Sequence, residues 1–494
     1  MHHALKIHEI LTLILQLVPS EAKLRTAAAA ARTCQTFYEP ASDALWGELP
    51  AMRRLFDLLP RDLLARAGFQ HDVARELGAH DWARFLQHSA RVRSVTFEER
   101  DGGDALEDYS NTIVLMRRGS TGPILPKAHT LLIDGDFFLG ARGYGVGNLS
   151  LFIGSEIREV RLGMRTGPRH HREIVEQLAL LCPQLRHIEL WKCEWREARL
   201  LLGFERLETV ICSQDVTCRA DLPTLAQLRS LRHLSVRLPS EIKELAGDQT
   251  ARSAAIVRFP ALETLELRDV GHSRFIKPVL RFIDSLRLQN VRFQAAYQPF
   301  HENPRAPGAV LTALASKFPN IRTLELVDWW SLAIFPQKAI TTLHHLEELC
   351  LTRGNFTLTP QSVVALGKGC PKLRRLQVYS ESRERDDFRS WSLHALELAA
   401  THLPKLEHLA TSFDTSDVTE LAEPHATSWV PLTLAVTKSP LRAEHVQPTA
   451  SYISRVYPNV RFGLPKNYVV KEEDEDQRRW GQLAQAVQEV KCSN

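Results

Sequence analysis

One short phrase of apolar and polar positions recurs along this chain. In Leu185-x-x-Ile188-x-Leu190-x-x-Cys193 the first, fourth and sixth places are apolar and the gaps are mostly polar. Alternation over so few residues predicts a short strand buried on one face. The same phrase predicts strands at Val92-Val95-Phe97, Ala128-Leu131-Ile133, Ile157-Val160-Leu162, Leu207-Val210, Leu231-Leu234-Val236 and Leu262-Leu265-Leu267. It continues at Ile283-Leu286-Leu288, Ile321-Leu324-Leu326, Leu346-Leu349-Leu351, Leu373-Leu376-Val378, Leu406-Leu409 and Val460-Phe462. Leu432, Leu434 and Val436 also alternate and predict an irregular closing strand.

Helical spacing fills the gaps, as at Ile174-Val175-Leu178-Leu181, Val310-Leu311-Leu314 and Tyr452-Ile453-Val456. Pro183, Pro260, Pro319, Pro371, Pro404 and Pro458 each stand two residues before an apolar strand starter. Proline just past a helix end stops the helix and favours an extended residue before it. Thr359-Pro360 marks an opposite end, an N-cap followed by proline in the first turn. The unit is therefore strand, loop, helix and proline stop, with a period of about 26 to 33 residues. This phrase and period resemble the leucine-rich repeat. The resemblance implies an α/β solenoid with parallel strands on its concave side and helices on its convex side. A doubly wound sheet would need longer, continuously apolar strands.

The N-terminal fifty residues follow another pattern. Ile7, Ile10, Leu11, Ile14, Leu15 and Val18 lie on one helix face, and Leu13 and Leu17 widen it. A helix apolar over so much of its girth needs more than one surface to bury against. Pro19 breaks it, the alanine-rich run from Thr26 to Arg32 predicts a second helix, and Cys34 to Trp46 completes a three-helix unit. Ile7-x-Glu9-Ile10-Leu11, Cys34-x-x-Phe37 and Leu45-Trp46 resemble an F-box of the fungal type, with His8 where that family usually has proline. The resemblance implies docking on the adaptor of an SCF-type, cullin-RING ubiquitin ligase. It assigns adaptor contact to Ile7, Glu9, Ile10, Leu11, Ile14, Leu45 and Trp46.

The expected organisation is an F-box-like unit at 1–49, a helical bridge at 50–90, the repeats at 91–463, and a charged segment with a capping helix at 464–494. The bridge keeps apolar periodicity at Met52, Leu55, Phe56, Leu59, Trp82, Phe85 and Leu86, which a free linker would lack. Trp480, Leu483, Ala484, Val487 and Val490 predict the final helix, placed to cover the open end of the repeat core. The acidic run Glu98 to Asp108, the glycines from 140 to 147 and the charged run Lys471 to Asp476 read as solvated loops or insertions.

In such a stack the residues between the leucines face outward. Arg186, Glu189, Glu266, Glu325, Arg374 and Arg375 fall there, with Trp191, Trp329, Trp330 and Tyr379 at or just past the strand ends. Aromatic residues and arginine anchor protein interfaces, so these are the expected contacts for a target protein.

Composition adds little. The chain has 494 residues, 24% of them charged, with a formal charge of +4. That is too small for a nucleic-acid footprint. No run reaches the roughly 18 apolar residues of a membrane span, and no signal sequence opens the chain, so cytoplasm or nucleus is expected. The eight cysteines include no C-x-x-C and read as reduced thiols. No metal or cofactor is expected, and no nucleophile motif, phosphate loop or zinc-helix motif appears; His170-His171 and His344-His345 stand as isolated pairs. The expected function is a non-catalytic substrate receptor acting by proximity. The alternative is a protein-binding repeat scaffold without a ligase role.

Overall fold

The computed structural model describes residues 7–59, 64–67, 70–73, 79–98, 122–134, 149–163, 168–191, 198–215, 221–238, 257–270, 276–295, 306–328, 337–352, 359–379, 391–415, 418, 423–437, 439–463 and 475–493. The acidic loop beyond Glu98, the glycine-rich stretch, Trp195, Trp329, Trp330 and residues 471–474 lie outside them. The chain divides into two compact units, Met1–Asp215 with Pro223–Leu231, and Val216–Leu222 with Arg232–Asn494.

The first unit opens with α1 (His8–Leu17), α2 (Ser20–Ala31) and α3 (Gln35–Trp46). Leu15, Ala27 and Ala41 form their small core, with Ala30, Ala31, Ala44 and Leu45 packed around it. Alanine at these places lets the helices approach closely. Strand β1 (Glu48–Leu49) follows directly, a strand the sequence pattern did not flag. The stretch that follows holds a turn of helix at Arg53–Phe56, the antiparallel pair Leu64–Ala67 and Gln70–Val73, and α4 (Ala79–Ser89). Then β2 (Ser94–Glu98), β3 (Thr130–Asp134), β4 (Glu159–Gly163), α5 (Pro168–Leu181), β5 (His187–Leu190) and β6 (Thr209–Asp215) follow. From β1 to β6 each strand pairs in parallel with the next.

The second unit repeats this plan. The strands of its main sheet are β7 (His233–Arg237), β8 (Thr264–Val270), β9 (Asn290–Ala295), β10 (Thr323–Val327), β11 (Glu348–Thr352), β12 (Arg375–Tyr379), β13 (His408–Thr411), β14 (Thr433–Val436) and β15 (Arg461–Phe462). Each is parallel to its sequence neighbour. The helices between them include α6 (Ala306–Lys317), α7 (Pro360–Gly369), α8 (His394–His402), α9 (Val446–Val456) and, last, α10 (Glu475–Ser493). This is the α/β leucine-rich-repeat fold that the sequence pattern predicts.

The turn before each strand explains the proline rule. Cys182, Phe259, Phe318, Cys370, Leu403 and Tyr457 precede the six prolines, and all are buried. In five of the six turns the starter three residues on donates its amide back to this residue, as Leu185 does to Cys182 at 3.1 Å and Leu373 to Cys370 at 3.0 Å. The turn thus satisfies its own backbone while anchoring one apolar side chain. Thr359 caps α7 by accepting from the Ser362 amide at 3.2 Å, completing a capping box.

Two strand assignments from sequence need correction. The repeat placed at Ile283-Leu286-Leu288 instead starts at Leu288, with Val291 and Phe293 filling the inward slots of β9; Leu286 is 89% exposed. Here Ser285 replaces the buried apolar stop and satisfies its hydroxyl on Leu262 O at 2.7 Å. The segment Leu432 to Val436 is no irregular closing strand. It forms β14, an interior member of the ladder in register with β13, and β15 closes the sheet.

Candidate functional site

Two surfaces stand out. The first is the outer side of α1. Leu11 and Leu15 turn inward, whereas Ile7 is 38% exposed, Leu13 58%, Ile14 43% and Leu17 83%. Leu24 of α2 is exposed too. Of the docking residues read from sequence, Ile7, Glu9 and Ile14 therefore reach solvent, Ile10, Leu45 and Trp46 are half-buried, and Leu11 is core. Leu13 and Leu17 are the most exposed apolar side chains of α1; in the sequence they only widened the apolar band. Their exposure depends on which face α2 and α3 cover, and one helix's periodicity does not contain that.

His8 opens α1 with Nε2 3.9 Å from Asp43 of α3. Asp43 also receives Arg91, which reaches Glu39 at 2.5 Å as well. Trp46 stacks on His88 with ring centroids 4.4 Å apart. Lys23 pairs with Glu48 at 2.8 Å. These contacts fasten the three-helix unit to α4 and β1, so the exposed face of α1 belongs to a held body. Burial, helped by the positive charges of Arg91 and Arg84, pushes the His88 imidazole below its usual range.

The second surface is the outward face of the parallel sheet. Successive repeats set opposite charges side by side. In the first unit Arg186 faces Glu208 at 3.6 Å and Arg161 faces Glu189 at 3.6 Å. Trp191 is half-buried, with its amide donated to Leu162 O at 2.8 Å. In the second unit Arg292 sits between Glu266 at 3.5 Å and Glu325 at 3.7 Å. Arg322 pairs with Glu347 at 3.4 Å, Arg375 with Glu348 at 3.9 Å and Arg374 with Glu407 at 2.7 Å. Ser235 Oγ donates to Glu266 at 2.7 Å. Such exposed pairs add little to stability, because water and salt screen them. Their effect here is to hold long side chains in fixed places.

Burial also lowers the His187 and His408 pKa values, which keeps neutral imidazoles on this face. The middle row of outward residues then shortens toward the C-terminal repeats, through Cys350 and Gln377 to Ala410 and Ala435, all buried. The structure brings Glu266 and Glu325 together around one arginine. Arg186 and Glu189 lie in the first unit and are not part of that group. Tyr379 ends β12, and nothing is described of its side chain.

Among the described residues no three His, Cys, Asp or Glu side chains gather at metal-binding distance, and no helix is long and apolar enough to cross a membrane. Burial pushes the Cys182 and Cys370 thiols up to about 12, so neither supplies a thiolate at neutral pH.

No protein-family model matches this chain. No curated protein matches it either. Solved structures do. A leucine-rich-repeat protein of Leptospira interrogans is 15% identical, covering 81% of this chain and 84% of its own, with a TM-score of 0.30. An internalin of Listeria monocytogenes is 12% identical over 73% of this chain and 79% of its own, at 0.30. A chain from the yeast Rad7 and Elc1 complex is 13% identical over 68% of this chain and 83% of its own, at 0.39.

Proposed function

We propose that this chain is the substrate receptor of an SCF-type ubiquitin ligase. The outer side of α1 docks the ligase adaptor, which brings the cullin complex, and the repeat face holds the protein to be modified. The chain itself does no chemistry. It raises the local concentration of its target beside the conjugating machinery. The observation that carries this reading is the sidedness of α1. Its inward face is filled by a small alanine-rich core, whereas Ile7, Leu13, Ile14 and Leu17 stay exposed. Apolar residues left outside on an anchored helix mark a protein-binding surface. Ile7, Glu9 and Ile14 stand on it at the places the F-box resemblance assigns.

Co-purification with the adaptor tests this. The double variant Ile14→Asp/Leu17→Asp is expected to lose the adaptor while the repeats melt as before. Undiminished adaptor capture by that variant would sink the assignment. The rival reading, a repeat scaffold with no ligase role, draws on His8 at the start of α1 in place of proline. It requires that the parent chain also fail to capture the adaptor.

A further inference from the structure

The turns leading into β11, β12 and β13 form a cationic edge. Register places Glu348, Arg375 and His408 side by side, so His345, Lys372 and Lys405, three residues earlier in each case, stand in one row. β14 pairs beside β13, and the stretch leading into it carries Trp429 and Val430. Lys338, Lys368 and His402, from the helix ends feeding these turns, add to it.

The row is close-set. Lys372 Nζ lies 3.0 Å from His345 Nδ1, and His344 Nδ1 lies 2.9 Å from Gly369 O. A methyl at Gly369 would overlap Thr341 of the preceding repeat, and one at Gly367 would overlap His402 of the next, so glycine lets the three turns approach. Among the described residues, the side chains of Lys338, Lys368 and Lys405 have no ion pair or hydrogen bond. Three acids of these repeats are already engaged: Glu347 by Arg322, Glu407 by Arg374, and Glu423 by Arg455 at 2.7 Å. In the stretch leading into β14, Trp429 is 71% exposed, its carbonyl held by Asn459 at 2.9 Å.

We propose that this edge binds an acidic protein segment carrying an apolar side chain that rests on Trp429. Uncompensated lysines at fixed spacing attract and orient a negative partner, and an exposed tryptophan supplies the apolar anchor. The sheet face cannot do this as readily, because its arginines already hold glutamates. The single tryptophan and the absence of arginine along the row favour a peptide over a nucleic acid, which is held by stacked aromatics and guanidinium forks.

A fluorescein-labelled peptide of glutamate and aspartate around one phenylalanine tests the proposal by anisotropy with the full chain. The expected result is binding that weakens at least about tenfold, with a flatter salt dependence, in Lys372→Glu/Lys405→Glu. Lys372→Gln/Lys405→Gln weakens it less and guards against misfolding. Trp429→Ala weakens it at every salt concentration. Lys127→Glu, on an exposed turn of the first unit, changes nothing. Binding unchanged in both lysine double variants, or an equally charged single-stranded oligonucleotide binding more tightly than the peptide, would overturn it.

Discussion

The first and last helices of this chain use similar residues to opposite ends. In α10 the apolar side chains turn inward: Trp480, Leu483, Ala486 and Val487 are all buried. Trp480 faces the Phe413 ring at 6.3 Å between centroids and donates its indole N–H to Ser439 O at 2.8 Å. Arg479 caps Leu441 O at 2.8 Å. In α1 only Leu11 and Leu15 are buried, Ile10 is half-buried, and Leu13, Ile14 and Leu17 face out. Periodicity alone makes both helices amphipathic. The surroundings decide that one closes a core and the other leaves an open face, and among the described residues only the second exposes large apolar side chains.

The sharpest test of that contrast is to damage α10. Deleting residues 477–494 should unfold the last repeats, because α9 and Phe413 would lose their cover. Leu483→Ala should cost about 2–5 kcal/mol, and Trp480→Ala about 3–5 kcal/mol, of the stability of the second unit, measured by denaturant unfolding. An unchanged unfolding curve would deny the cap. The matched pair in α1 comes next. Leu15→Ala should cost about 2–4 kcal/mol of the three-helix unit. Leu17→Ala should change stability by no more than about 0.5 kcal/mol. Equal effects at the two positions would erase the distinction between covered and open faces.

Sequence alone carried most of the ladder, because proline and the spaced leucines are local signals. It failed where local chemistry was ambiguous. At Ile283 to Phe293 two apolar phases compete, and the leucine-rich one lost to Val291 and Phe293. The helix at Ile276–Phe282 runs up to Ile283 and leaves no room there for a turn. Ser285 hid the stop, since a hydroxyl satisfied across the repeat can replace an apolar plug. The stretch before β14 has no proline stop of the usual form. It is tied down instead by Ser428 to Val456 O at 2.8 Å and by the His425 amide to the buried Glu397 at 2.7 Å. The charged rows of the sheet face were legible as outward positions. Their pairing was not, because it depends on which repeat lies beside which. The cationic edge was invisible for the same reason: His345, Lys372 and Lys405 are far apart in sequence and are aligned only through register.

A smaller effect tests how α1's open face is held. Arg91 spans Glu39 and Asp43, like charges one turn apart on α3. Arg91→Ala removes charge-assisted hydrogen bonds and restores their repulsion, and should cost about 1–3 kcal/mol. The expected structural readout is greater freedom of α3 relative to β1, seen as faster amide exchange at Leu49. Exchange as slow as in the parent would mean that the Trp46 stack and Lys23 hold the unit without Arg91.

The smallest expected effect is a pH dependence at the same junction. Burial first, then Arg91 and Arg84, lowers the His88 pKa in the folded chain, and Glu39 only partly offsets them. Unfolded, the imidazole returns to about 6.5. Between the two values the unfolded state binds more protons, so stability rises with pH there. The contribution is complete above about pH 6.5, is lost as pH falls through the folded value, and is level below it. His129 and His187 in the same unit are lowered in the same direction and add to the slope. His88→Phe keeps an aromatic ring against Trp46 and removes one titrating group. Melting curves followed by tryptophan fluorescence between pH 7.5 and 5 should therefore slope less steeply in this variant than in the parent. An identical slope would mean that His88 is protonated as easily folded as unfolded, and that the Trp46 stack leaves it open to water.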